Sequence, residues 1–193
     1  MYYLINEWTS DDERLRDDLE QIGIPIQPLQ IENILDFIFS NQKVNSPLHM
    51  TGLSLPPFWE VYANGDIVSN GVRRGRIDCY QDYSQRVKKV EWYNPDDNCS
   101  TCDYYDLSGR LFLEEVWSAN ECHLSVYMND KMGKLHLFHQ HDRALYQTTD
   151  GLEQGFSSIE EAKKALLQEV LLQVETVFLS DPELLKALPK LAK

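Results

Sequence analysis

The side chains best suited to chemistry in this chain are its cysteines. Cys99-Ser100-Thr101-Cys102 is a C-x-x-C, flanked by Cys79 and Cys122. Four thiolates can hold a structural zinc, but such sites usually pair two close knuckles. Here each outer cysteine stands 20 positions from the pair, 79 to 99 and 102 to 122. A redox pair needs a helix N-terminus to lower its thiol pKa, whereas this one is expected in the turn of a β-hairpin. Four incidental thiols are the plain reading, with a small structural zinc protein as the alternative. His136, His139 and His141 are the next candidates. Strand residues alternate faces, so His139 and His141 would share one face and His136 the other. Three convergent ligands would need a bulge, and ordinary sheet histidines are expected. Arg73-Arg74-Gly75-Arg76 could grip a phosphate or carboxylate bidentately. In a chain of net charge −13 it is expected to pair with the chain's own acids. Glu114 and Glu115 are strand neighbours on opposite faces, so they form no acid–base couple. Neither G-x-G-x-x-G nor a Walker loop occurs, so no nucleotide cradle and no cofactor is expected.

These residues fall mostly in one stretch, Val87 to Gln147, which reads as a strand-and-turn unit written several times. Val87–Tyr93 runs into Asn94-Pro95-Asp96-Asp97-Asn98, and Tyr104-Tyr105 into Asp106-Leu107-Ser108-Gly109-Arg110. Ser125–Met128 runs into Asn129–Lys134, and Ala144–Tyr146 into Thr148–Gly151. Asp and Asn hydrogen-bond their own backbone in turns, and Gly takes positive φ freely. Turn signals at this spacing predict an antiparallel meander. Asn64-Gly65 adds a hairpin turn upstream, behind the stiff Pro56-Pro57 and the apolar Phe58-Trp59.

The flanks read differently. Tyr2–Ile5 is β-like, and Ser10-Asp11-Asp12-Glu13 is a capping box that opens a helix carrying Leu15, Leu19 and Ile22 and stopped by Gly23. Ile24–Leu29 is extended, and Ile31, Ile34, Leu35, Ile38 and Phe39 mark a second helix. Beyond the meander, Ser158-Ile159-Glu160-Glu161 is another capping box, starting a helix to about Gln173. Val174–Leu179 reads as a strand, and Asp181-Pro182-Glu183 begins a last helix. The fold class is therefore α+β: an antiparallel meander domain over 46–155, inserted into a partial α/β lobe over 1–45 and 156–193. Three strands are few for such a lobe, so the chain reads as part of something longer or as needing a partner.

The acidic balance argues against nucleic acid or an anionic membrane as the main partner. No apolar run is long enough for a transmembrane segment, and Met1–Glu7 lacks the basic region and cleavage site of a leader, so a cytoplasmic protein is expected. The meander is rich in aromatics on both strand parities: Trp59, Trp92, Trp117, Tyr104, Tyr105, Phe112, Tyr127, Phe138 and Tyr146. Either the sheet is covered on both sides, or it shows an aromatic face to a partner.

Pro56-Pro57-Phe58-Trp59-Glu60-Val61 resembles the P-P-F-W-E-I stretch of the stabilising co-subunit of the bacterial accessory Sec glycosyltransferase. Pro47-Leu48-His49-Met50, Arg76-Ile77 with Tyr80, and Val87-Lys88-Lys89-Val90-Glu91-Trp92 are similar to other motifs of that co-subunit, in the same order. Leu4 through Gly23 is similar to its opening strand and helix. In that family a catalytic subunit and its co-subunit put GlcNAc on serine-rich repeat adhesins. A Rossmann-like lobe carries an inserted, extended β-sheet domain, which teichoic-acid glucosyltransferases share. The resemblance implies a non-catalytic module that docks the catalytic glycosyltransferase subunit and helps hold the Ser/Thr-rich acceptor. Trp59, Trp92, Tyr104, Trp117 and Tyr127 are the expected contacts. The second, sugar-nucleotide lobe is missing, so this chain alone is expected not to transfer sugar. The alternative is the N-terminal region of a teichoic-acid glucosyltransferase.

Overall fold

A computed structural model describes residues 2–5, 27–30, 34–40, 47–81, 85–96, 98–172 and 177–179. The chain divides into two compact units, one formed by Met1–Ile38 with Glu160–Lys193 and the other by Phe39–Ile159.

In the first unit, β1 (Tyr2–Ile5), β2 (Gln27–Gln30) and β13 (Val177–Leu179) form a parallel sheet in the order β13-β1-β2. Parallel neighbours need a crossover connection, which the β-α-β reading of the sequence supplies. Helix α1 (Ile34–Phe39) and helix α2 (Ile159–Leu172) adjoin the boundary between the units. Ile34, Leu35 and Ile38 are buried along α1, as are Ala162, Leu166 and Leu167 along α2, each set at helical spacing. The helix expected from Ser10 and the one expected after Asp181 lie outside the described residues.

The second unit is a ten-stranded antiparallel sheet in strict chain order, from β3 at one edge to β12 at the other. Its strands are β3 (Glu60–Val61), β4 (Asp66–Ser69), β5 (Val72–Cys79), β6 (Val87–Tyr93), β7 (Cys99–Tyr105), β8 (Leu111–Ser118), β9 (Glu121–Asn129), β10 (Gly133–Phe138), β11 (Arg143–Gln147) and β12 (Glu153–Phe156). The meander runs one strand past its expected end at Gln147. The turns are built by the residues that announced them. Asn94 Oδ1 accepts from the Asp96 and Asn98 amides, and Asp106 Oδ1 from Ser108 and Arg110. At Asn64-Gly65, Gly65 has φ 89°, and a Cβ there would meet the Ile77 carbonyl oxygen at 2.5 Å.

Five successive strand pairs, from β4–β5 to β8–β9, carry a register irregularity. Each puts two residues of one strand against one of its neighbour and so shifts the face of everything beyond it. The bulge at Lys88 is why Val87 and Val90, three apart, are both buried. The sheet then has two faces, called front and back below, whose covered regions lie at opposite ends. On the back of β4–β6, Ile67, Ile77, Val87 and Val90 form a dry cluster. Leu48, Met50, Leu53, Leu55 and Trp59 from the preceding extended segment close over it. On the front of β9–β12, Leu135, Leu137, Ala144, Tyr146 and Phe156 are buried. Tyr127 packs there against the Phe39 ring, centroids 5.5 Å apart. Arg110 Nη2 and Asn129 Nδ2 both donate to the Phe39 carbonyl, tying the chain's entry to two of the turns.

Candidate functional site

Between these two covered regions, the front of β6–β8 carries a polar and aromatic array. Lys89, Glu91 and Tyr93 stand side by side on β6. Lys89 Nζ donates to Glu91 Oε1 at 2.7 Å and Tyr93 Oη to Glu91 Oε2 at 2.8 Å. One step across the sheet, Glu115 Oε2 accepts from Tyr104 Oη at 2.9 Å and from Trp117 Nε1 at 3.1 Å. Arg73 sits over the Tyr93 ring at 4.7 Å and Lys89 over the Tyr104 ring at 5.3 Å. Apart from buried Cys102 and Leu113, which pair with Glu115 and Tyr104 across the strands, this front is half-buried.

Burial works against the Glu91 charge, yet the hydrogen bonds from Lys89 and Tyr93 hold its carboxyl below the usual glutamate range. Lys89 is raised: its own burial opposes the charge, and the Glu91 hydrogen bond overrides that. Tyr93 and Tyr104 are pushed up, first by burial and then by Glu91 and Glu115 respectively. Both phenols therefore stay protonated and donate; they are not bases. The back of the same strands behaves oppositely. Burial raises Asp103, which accepts from Trp92 Nε1 at 2.7 Å.

The expected contact residues fall into two groups. Trp59 and Trp92 meet on the back, ring centroids 6.4 Å apart, both packed on the dry cluster. Tyr104, Trp117 and Tyr127 face the front, the first two sharing Glu115. Lys89, Glu91 and Glu115 organise the front, a role that sequence reasoning does not give them: Glu115 enters it only as half of a couple with Glu114, and Lys89 and Glu91 only as part of a motif. The only signal for them is charge at every second position beside aromatics, as in Lys89-Val90-Glu91-Trp92-Tyr93.

The cysteines are placed differently from expectation. The C-x-x-C opens β7 instead of forming a turn, and the extra residue Ser100 brings Cys99 and Cys102 to the same face, Sγ to Sγ 3.3 Å. Burial pushes the Cys102 thiol up. Cys79 packs on the back cluster, and Cys122 contacts Ser125 on the front. Among the described residues no three His, Cys, Asp or Glu side chains group as metal ligands. The histidines do not alternate along one strand either. His136 lies on β10 stacked on Phe138, while His139 and His141 form a 3-10 turn after it, with His139 Nε2 2.8 Å from Ser125 Oγ. Arg76 pairs with Asp78 at 3.6 Å, as its acidic surroundings suggested. Among the described residues, no helix is long and apolar enough to cross a membrane.

An open cleft of about 620 Å³ lies at the turn ends of β7–β12, lined among others by Arg110, Asn129, Asp130, Lys134, Gln147 and Thr149. The Arg110 and Asn129 donors there already hold the Phe39 carbonyl. The half-buried front of β6–β8 can instead offer rings and polar groups in rows to an extended ligand.

The family model of the GtfB middle domain matches residues 59–156, which takes in all of β3 to β12. Among solved structures, a chain of the GtfA/B complex bound to UDP and GlcNAc aligns at TM-score 0.71 and 17% identity, covering 94% of this chain and 44% of that one. A chain of accessory secretory protein 1, 2 and 3 from Streptococcus pneumoniae aligns at TM-score 0.58 and 11% identity, covering 84% of this chain and 34% of that one. Both likenesses show a shared fold, and this chain spans less than half of either relative. No curated protein sequence matches it.

Proposed function

Since the chain belongs to the GtfB family through its middle domain, we propose that it is a non-catalytic module of a bacterial protein O-glycosyltransferase complex. In this reading it docks the catalytic glycosyltransferase subunit and helps hold a Ser/Thr-rich acceptor in the cytoplasm. Residues 46–155 are the extended sheet domain. Residues 1–45 and 156–193 belong to a Rossmann-like lobe, a reading supported by the parallel β13-β1-β2 sheet. Sugar transfer belongs to the partner.

The observation that carries this reading is the coincidence of the family match with the ten-stranded sheet. Such a sheet suits both jobs. It ends in two edge strands, β3 and β12, whose backbone groups can pair with a strand from another protein. Nine strand-to-strand gaps give it a width of about 43 Å, room for an extended acceptor. Aromatic rings bind such a chain with little sequence preference, as the acceptor's simple composition requires. Tyr104 and Trp117 on the front are assigned to this contact; Tyr127, packed on Phe39, and Trp59 and Trp92, packed on the back cluster, are assigned to holding the sheet that presents them.

The test is co-expression of the full-length protein with a candidate catalytic glycosyltransferase from its gene neighbourhood, followed by size-exclusion chromatography. Co-elution as one complex is expected. Separate elution of two folded proteins overturns the docking role. With a complex in hand, Trp117→Ala is expected to weaken binding of an unmodified Ser/Thr-rich peptide severalfold, and unchanged binding removes the acceptor role of the front face.

A further inference from the structure

Phe58 is held in a conformation that favours another residue, with its side chain where the fold gains nothing from it. The Trp59 amide donates to the Pro56 carbonyl at 3.2 Å, closing a turn over Pro56-Pro57-Phe58-Trp59. Phe58 occupies the third position with φ 69°. That position in a type II turn calls for glycine, or at most asparagine, because a Cβ crowds the backbone at positive φ. The Phe58 ring is 91% exposed, the most exposed of the large hydrophobic side chains among the described residues. It is therefore strained in its backbone and idle in its side chain. The turn is also rigid. Two prolines fix its first half, and Trp59, packed on the dry cluster, anchors its end.

Phe58 stands two residues before Glu60, where the edge strand β3 begins. That position sets an exposed ring in the chain next to the edge that an outside strand would pair with. We propose that Phe58 is a preformed docking knob that inserts into an apolar pocket of the catalytic glycosyltransferase subunit beside β3. The inference rests on the docking role given under Proposed function and adds to it which edge is used and which side chain anchors it. The net charge of −13 disfavours a second copy of the same chain as the occupant, because like-charged surfaces repel. A rigid, exposed aromatic loses little entropy on burial and makes an efficient anchor.

The test measures two properties of the full-length protein carrying Phe58→Gly: its thermal unfolding midpoint, and its affinity for the co-expressed glycosyltransferase by isothermal titration calorimetry. The expected result is an unchanged or raised midpoint together with affinity reduced about tenfold or more. Leu152→Ala, an equally simple truncation of an exposed side chain in the turn before the opposite edge strand, is expected to leave affinity unchanged. A lowered midpoint for Phe58→Gly would assign the ring a structural role and overturn the proposal. Unchanged affinity in Phe58→Gly, or an equal loss in Leu152→Ala, overturns the knob while leaving the docking role intact. Failure of the unaltered protein to bind removes the docking role and the knob together. Concentration-dependent dimerisation that Phe58→Gly abolishes would show the occupant to be a second copy.

Discussion

Strand β6 has two sides held by different physics. Behind it, Val87, Val90 and Trp92 belong to a dry cluster closed by Leu48, Leu53, Leu55 and Trp59. In front, Lys89, Glu91 and Tyr93 hold one another through hydrogen bonds to a single carboxylate. The back draws on area removed from water, about 25 cal/mol per Å² and indifferent to direction. The front draws on aligned donors and acceptors, each of modest net worth because water competes for them. One strand thus supplies stability behind and an adaptable polar surface ahead, which suits the docking role proposed above.

The largest expected break in this contrast comes from the back. Ile67 is fully buried, and Ile67→Ala should cost about 2–4 kcal/mol from lost transfer energy and the cavity left, read as a fall in the urea midpoint. A loss below about 1 kcal/mol would mean that the segment over the cluster collapses to fill the space. Trp92→Ala comes next, at roughly 2–3 kcal/mol, since its ring is partly buried against Trp59 and its removal also leaves Asp103 without its indole donor. Trp117→Ala, on the half-exposed front, should cost clearly less in the same assay. Equal costs would erase the distinction between the faces.

Two carboxylates sharpen the contrast by pH. Glu91 is lowered on folding, so its contribution is present above the ordinary glutamate value of 4.5 and is lost as pH falls through its lower folded value. Asp103 is raised, so it favours the folded state at pH below the ordinary aspartate value of 3.8 and loses that advantage as pH rises through its higher folded value. Glu91→Gln should flatten the acid-side loss of stability. Asp103→Asn, which keeps an oxygen for Trp92, should leave neutral-pH stability unchanged or slightly higher. Each change is expected to be under about 1 kcal/mol, measured as urea midpoints from pH 3 to 7. If both substitutions shift the profile the same way, the faces do not differ electrostatically. The smallest effect is spectroscopic. Glu115→Gln removes the charge beside Tyr104 and should move that phenol's alkaline titration down, seen as tyrosinate absorbance appearing at lower pH.

How much of this was legible in the sequence differs by feature. The turns at Asn94, Asp106, Asn129 and Thr148 were readable because their side chains make the turn themselves. The hairpins at Asn70-Gly71 and Ala119-Asn120 were not singled out. Strand β5 beside the first carries Arg73-Arg74-Gly75-Arg76 where alternation would be sought, and the second holds Ala119 at φ 52°, a geometry that alanine does not announce. Strand β12 went unread because Glu153-Gln154-Gly155 has no β-branched or aromatic residue; pairing with β11 makes it a strand. The bulges were invisible, since the ladder between two strands sets them and one strand's pattern does not. They decide the faces, which is why aromatic parity alone did not separate Trp59 and Trp92 from Tyr104, Trp117 and Tyr127. Family resemblance located the domain, but the carboxylates that organise its front came only from the register.

Strict chain order across ten strands also sets how this sheet comes together. Every strand lies beside its neighbour in sequence, so each new pairing closes only a short loop at small entropic cost. Such local connectivity favours rapid assembly, and the meander can grow by zipping hairpin onto hairpin from whichever turn forms first. It also makes the sheet behave like a row of tiles. Removing or adding one hairpin changes its width by about 10 Å and leaves the direction of every remaining strand intact, so its reach is adjustable without redrawing the fold.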